Sequence, residues 1–305
     1  MGYGGGVSPV QVLLVWFAAC FCMALAGAYT MDPSDPLRRH EDARLRAERI
    51  LSAVTAGVAP SLPVTTSASP SRVYYVTEYG ADPTGGTTDS TDAIARAISD
   101  ASRPPSDRSL FVGIANLDGA EIHLGGGTYL VSRPISIPPS AGNLKIHGGS
   151  LRASDCFPTD RYVIELRAPP LAIATSTYSY EYITLSSLMI DANHRAGGIS
   201  VVNSLRTLIE SSYIVHFASK GIWVQDGHET IISRSFLGQH ITAGGDPFER
   251  SFSGTAIRLD GNDNIVTDVV IFSASIGVLV SGQANTLTGI HCYNKATGLG
   301  GTGIS

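Results

Sequence analysis

Charge is scarce in this chain. Only 15% of its 305 residues are Asp, Glu, Lys or Arg, and the balance is −5. A nucleic-acid binder normally carries a basic stripe, so nucleic acid is excluded as the main partner. An acidic polysaccharide stays open, because it needs only a local cluster of cations. Cysteine is rare as well: of four, Cys20 and Cys22 fall inside an apolar N-terminal stretch. The other two, Cys156 and Cys292, sit about five coils apart on the repeat described below, roughly 20–25 Å at one strand spacing per coil. Bridged Cα atoms lie within about 7 Å, so no disulfide between them is expected. The alternation Ile290-His291-Cys292 turns Cys292 inward as a buried free thiol. No Asn-x-Ser/Thr sequon occurs, so glycosylation says nothing about compartment. The triple glycine 125–127 is not followed by Gly-Lys-Ser/Thr, which excludes a phosphate loop and leaves a tight corner. A hydrophobic fraction of 43% excludes a disordered chain.

What is present is a repeat running from Ile199 onward. Its turns read Asn203-Ser-Leu-Arg-Thr207, Asp226-Gly-His-Glu-Thr230, Asp260-Gly-Asn-Asp-Asn264 and Ser281-Gly-Gln-Ala-Asn285. Short apolar segments flank each turn, such as Gly221-Ile-Trp-Val-Gln225 before and Ile231-Ile232 after. A third segment completes the unit, as in Ser212-Tyr-Ile-Val-His216 and Ser235-Phe-Leu-Gly-Gln239. Three short strands per period, with no helical segment between them, form a unit that cannot bury its apolar face alone. The expectation is an all-β solenoid, a parallel β-helix with Asn203, Asp226, Asp260 and Ser281 in one line. Asp226 and Asp260 read most simply as Asp-Gly corners, and Asn264 and Asn285 as an internal ladder.

Ahead of the repeat, residues 10–28 (VQVLLVWFAACFCMALAGA) end in small residues and read as a cleaved secretory signal, residues 1–28. The usual positive n-region is missing, and an uncleaved anchor is the competing reading. Residues 29–59 read as a peripheral or pro-segment helix, and 60–71 as a Pro/Ser/Thr linker. The folded domain is then 72–305. Asp89 can cap a helix from Ser90 to Ala101 whose inner face is Ile94, Ala97, Ile98 and Ala101. A solenoid needs such a cap over its first coil.

The run 76–94 (VTEYGADPTGGTTDSTDAI), followed by Gly126-Gly-Thr-Tyr-Leu130 and Ile135-Ser-Ile-Pro138, resembles the opening of pectate-lyase-like right-handed β-helix proteins. Phe236-Leu-Gly-Gln-His240, Phe252-Ser-Gly-Thr-Ala-Ile257 and 289–297 (GIHCYNKAT) are similar to the divergent plant polygalacturonases of the quartet type. The resemblance covers roughly residues 72 to 305. It implies a secreted cell-wall hydrolase of de-esterified homogalacturonan, acting when pollen tetrads separate. Ordinary polygalacturonases carry Asn-Thr-Asp, Asp-Asp and Gly-His-Gly before the first strands of successive coils. Here those places hold Arg195-Ala-Gly197, Ser219-Lys220 and Ser253-Gly254, so the catalytic carboxylates cannot be copied across. The chain also stops at Gly303-Ile-Ser305, early in a coil, and further coils are expected to be missing.

Hydrolysis of a glycosidic bond needs two carboxyl groups, about 6.5–9.5 Å apart for inversion. The period from 230 to 264 exceeds its neighbours, and its excess holds His240, Asp246, Glu249, Arg250 and two phenylalanines. Insertions on solenoids gather on the binding face. Beside it, the residue after each third strand gives a polar column of Asp191, His216 and Gln239. Asp191 with Asp246 or Glu249 is the expected acid/base pair, tuned by His216 or His240. Arg250 and Lys220 are expected to hold uronate carboxylates, and Gln239 and Trp223 to touch substrate. The bland alternatives are a solvated surface for the column, a soluble excursion for the insertion and plain packing for Trp223. No metal and no cofactor is expected, and no membrane contact in the mature, monomeric protein. The competing functions are a non-catalytic or degenerate pectin-binding wall protein and a Ca²⁺-dependent pectate lyase. The lyase would require clustered aspartates on adjacent coils, and none is seen.

Overall fold

The computed structural model describes residues 72–168, 178–239, 253–293 and 301–305. The signal, the helical segment and the linker expected before residue 72 lie outside the described residues. The described chain is a right-handed parallel β-helix. Its strands form three faces and pair in parallel with their counterparts one coil away, apart from Ser109–Phe111, which pairs antiparallel with Ile114–His123. The first face is built from Tyr162–Leu166, Gly197–Val202, Lys220–His228, Ser253–Asn262, Ala274–Val280 and Thr302–Ile304. The second face includes Val73–Tyr75, Ile114–His123, Leu208–Glu210 and Ile231–Ser233. Four long strands, Ala141–Ala153, Tyr180–Asp191, Ile265–Phe272 and Thr286–Tyr293, continue from the second face around a corner into the third.

Pairing in register stacks like on like. Ile164, Ile199, Ile222, Ile257 and Val278 form one inward column on the first face. Ile122, Ile146, Leu185, Ile209, Ile232 and Val266 form another on the second. All are at most 1% exposed. At about 25 cal/mol per Å² of buried apolar surface, these columns supply the main favourable term of folding. Cys292 keeps the inward register, stacked on Ile271, but is exposed rather than buried. Among the described residues only the short strand Thr302–Ile304 lies beyond it, and that cover is too small to bury the thiol.

The corners need left-handed backbone. Asn143, Tyr182, Arg206, Glu229, Asp263 and Ala284 occupy equivalent positions on successive coils, each with φ between 54 and 58°. Between the second and third faces the equivalent column is Gly148, Ser187, Ser211, Arg234, Asp268 and Gly289, again all at positive φ. A side chain in this region costs about 1–2 kcal/mol. Its persistence through residues as different as Tyr, Arg and Ala shows that the ladders on either side dictate the corner. Side-chain amides reinforce the first: the Oδ1 of buried Asn264 accepts from Thr230 N–H at 2.9 Å, and Asn285 Oδ1 accepts from Asn264 N–H at 2.9 Å.

The expected line of turns is broken at one place. Val202 pairs with Gln225, so Asn203 and Asp226 correspond, but Gln225 pairs with Asp260 and a register shift follows before His228. Asp260 therefore stands one position ahead of Asp226. Asp226 turns the corner at φ 50°, whereas Asp260 lies at the end of a paired stretch with its carboxylate engaged.

The helix Thr91–Ala101 covers the first coil with Ile94, Ala97, Ile98 and Ala101, all buried. Asp89 Oδ1 accepts the Thr91 N–H at 2.9 Å and so satisfies one of the helix's free donors. At the other end the Arg72 guanidinium donates to the carbonyls of Ala101 and Arg103. Ile209→Ala should destabilise the domain by about 3 kcal/mol through a cavity in the column. Ile231→Ala, on the outer side of the next coil, should cost about 1 kcal/mol or less. Urea unfolding of the two variants checks the contrast.

Candidate active site

The corner between the third face and the first carries no ladder, and the chain there forms loops of unequal length. Two of them meet at Asp191, the last residue of its strand. His216, one coil further on, has φ 56°, which aims its ring back along the stack. Its Nδ1 lies 2.8 Å from Asp191 Oδ1. Asn193 N–H donates to the same oxygen at 2.9 Å, and Arg152 Nε stands 3.7 Å from Oδ2. The His194 ring stacks on His216 at 4.3 Å between centroids. Burial works against the Asp191 charge, but the hydrogen bonds from His216 and Asn193 and the charges of His216 and Arg152 outweigh it. The carboxyl pKa is held below its ordinary value. Asp191 is thus ionised at neutral pH. It can take a proton or orient a histidine; it cannot serve as the acid.

Asn193 also reaches outward. Its Nδ2 donates to Asp155 Oδ1 at 2.9 Å, so one asparagine is hydrogen-bonded to carboxylates on two successive loops. Asp155, Asn193, His194, Arg195 and Ser219 border an open pocket of about 550 Å³.

Around the corner, the outward side of the first face carries a second group. Trp223 Nε1 donates to Asp260 Oδ2 at 2.8 Å, and Arg258 Nε donates to the same oxygen at 2.6 Å. Burial opposes the Asp260 charge, but these donors lower its pKa. The Trp223 ring stacks with Tyr162 at 5.9 Å and 27°, and Lys220 Nζ sits 4.9 Å from its centroid. Burial, aided by the Arg258 charge and opposed by Asp260, lowers the Lys220 pKa. Tyr162 reaches Trp223 only by crossing Gly197, where a Cβ would come within 2.3 Å of the tyrosine ring.

Sequence comparison places this architecture. The profile of the family described as rhamnogalacturonase A/epimerase, pectate lyase-like, matches residues 73–301. The chain belongs to this family. It is 61% identical over 235 residues to polygalacturonase QRT3 of Arabidopsis thaliana, covering 76% of this chain and 48% of that protein. The chain thus spans about half the length of the curated relative it matches. Among solved structures, ORF18 of Geobacillus virus E2 superposes with a TM-score of 0.55 at 14% identity, covering 72% of this chain and 42% of that one. A mutant tailspike of E. coli bacteriophage HK620, in complex with a pentasaccharide, gives 0.50 at 11%, covering 77% and 49%. At these identities the likeness is one of fold alone.

In this family member the structure joins Asp191 to His216. Lys220 and Trp223 stand together on the first face. Gln239 departs from the expected column: it is 1% exposed and cannot touch a polysaccharide. The chain passes so close to its neighbour at Gly238 that a Cβ there would lie 1.9 Å from the Phe272 carbonyl. Gln239 follows with its N–H on the same carbonyl, inside the stack. His240, Asp246, Glu249 and Arg250 lie outside the described residues. Asp155, Asn193, His194 and Arg258 were not singled out from sequence; the turn tendency of Asn193 was the available signal, and the structure places Asn193 and His194 in succession at positive φ.

The depressed Asp191 pKa has a consequence for stability. The unfolded chain takes up a proton at about 3.9 and the folded chain only at lower pH. The contribution is therefore full at neutral pH and lost as pH falls through the folded value. Asp191→Asn should cost about 1–2 kcal/mol at pH 7. That difference from wild type should shrink below about pH 4, as followed by thermal melts across pH.

Proposed function

We propose that the protein is a secreted, pectin-directed glycoside hydrolase of the polygalacturonase kind, acting on homogalacturonan in the cell wall. The observation that carries this reading is the pair of carboxylates joined through Asn193, one of them half-buried and held ionised. The activity in the Arabidopsis relative's name, at 61% identity, supports the substrate class. Export rests on the apolar stretch 10–28.

Hydrogen bonds of 2.9 Å on either side of one asparagine suit the separation of about 6.5–9.5 Å that a water-mediated, inverting displacement requires. In this reading Asp155, at the solvent edge, protonates the glycosidic oxygen. Asp191 takes a proton from water as the water oxygen bonds to the anomeric carbon and the bond to the leaving sugar breaks. His216 positions Asp191 and shares its charge. Lys220 and Arg258, on the adjoining face, attract the uronate carboxylates of the chain. Asp246 or Glu249 is the competing source of the acid, with His240 and Arg250 beside it in sequence.

Incubation with polygalacturonate should release reducing ends without the ultraviolet-absorbing unsaturated products of a lyase. A protein that binds pectate but releases nothing is a binder, and the hydrolase reading is lost. Asp191→Asn should lower kcat by about 10³-fold with little change in KM. Comparable loss in Asp155→Asn assigns the acid; retained activity there with loss in Glu249→Gln or Asp246→Asn moves the acid to the insertion.

A further inference from the structure

At the N-terminal end of the first face, away from Trp223, lies an open pocket of about 610 Å³. Pro138, Pro139 and Ala168 give it an apolar wall, and Ser136, Asp160, Arg161, Glu165 and Arg167 supply its polar groups. Glu165 occupies the outward column that leads through Ser200 and Trp223 to Arg258, yet it is only 1% exposed. Both carboxylate oxygens are occupied: Arg161 Nε donates to Oε1 at 2.9 Å and Nη2 to Oε2 at 2.6 Å, while Tyr162 N–H donates to Oε1 at 3.0 Å.

A side-on pair of this kind leaves the guanidinium fixed in direction, with its remaining N–H groups facing away from the glutamate. Arg161 is thus a rigid donor at the rim rather than a swinging surface charge. Two residues past Glu165, Arg167 is exposed and makes no side-chain ion pair among the described residues. Arg161 is balanced by Glu165, and the Asp160 charge also acts on it. The pocket is therefore not a general anion trap. It offers two planar donors beside an apolar wall, which suits one carboxylate carried on a ring with an apolar flank.

We propose that this pocket is a distal subsite that binds the carboxylate of a uronic acid residue, about two to three coils, roughly 10–15 Å, from Trp223 and Arg258 along the same face. The proposal rests on the reading of the outward side of the first face as a site for acidic polysaccharide and adds a second anchoring point to it. A chain long enough to reach both anchoring points binds through both; a short one does not. The residue spacing favours action within a chain over release of single terminal sugars.

The test measures binding of hexa- and trigalacturonate, and of a methyl-esterified hexamer, by titration calorimetry at low salt. The proteins are wild type, Arg167→Gln and Arg161→Gln, with circular dichroism confirming folding. Arg167→Gln is the decisive variant, since its exposed side chain holds nothing in place. It should weaken hexamer binding about tenfold and leave trimer binding within about twofold. Arg167→Lys should recover part of the loss. If Arg167→Gln binds the hexamer as wild type does, the subsite is refuted while the hydrolase reading stands; wild type that binds both hexamers equally overturns the carboxylate contacts at Lys220 and Arg258 together with the subsite. Wild-type protein that binds no galacturonate of any length overturns the polysaccharide reading and the subsite with it.

Discussion

Everything in this fold depends on the register between one coil and the next. A parallel ladder fixes which residue lies above which, and a slip of one residue would send an inward column into solvent. Because the inward positions are Ile, Leu and Val on nearly every coil, the apolar term enforces that register along the length of the stack. Backbone conformation then follows rather than leads. Tyr182, Arg206, Glu229 and Ala284 share a left-handed geometry that none of them favours, because strands held in register on both sides leave the connecting residue no other path.

The same constraint decides where chemistry can sit. At two corners left-handed residues recur at the same places on successive coils, with one shift of register between Gln225 and His228. At the third, successive loops are free to differ, and it is there that Asp155, Asn193, His194 and His216 come together. Stacking sets the geometry of the pair: Asp191 ends a strand whose position is fixed, and His216 belongs to the next coil, so their 2.8 Å contact is imposed by the ladder. The charge on Asp191 persists despite partial burial because three groups from three coils, His216, Asn193 and Arg152, oppose the desolvation. An overall charge of −5 is compatible with an acidic substrate because four cations, Arg161, Arg167, Lys220 and Arg258, lie on or beside the first face.

Much of the fold was legible from sequence because apolar triplets and Asn or Asp-Gly corners repeat. The helix Thr91–Ala101 and its inner face followed from spacing alone. What sequence could not show was a shift of one residue. The offset across the longest period hides the irregularity between Gln225 and His228, so Asp260 looked like a corner when it is an acceptor for Trp223 and Arg258. The polar column was legible only in part. Asp191 and His216 meet, but Gln239 follows Gly238 into the stack, and burial at a strand end depends on a backbone approach that no residue type announces. Asp155 was invisible for another reason: residues 154–161 are an irregular loop, and its relation to Asp191 exists only through Asn193, 38 residues away.

The first face illustrates how a solenoid makes a surface out of residues too far apart to meet in a single coil. Tyr162 and Trp223 stack across an intervening strand only because that strand presents Gly197, with no side chain to separate them. The contact occupies ring surface that a sugar would otherwise use, and Lys220 occupies more. Trp223 therefore acts less as a stacking platform than as a scaffold: its indole N–H fixes the Asp260 carboxylate, which in turn orients Arg258. Arg161 is oriented by Glu165 in the same manner at the other end. Two arginines on one face, each held by a carboxylate that neutralises it locally, can recognise charge by direction rather than by field strength. That is the arrangement a long, uniformly acidic polymer demands, since a strong cationic field would hold every residue of the chain equally and favour no register along it.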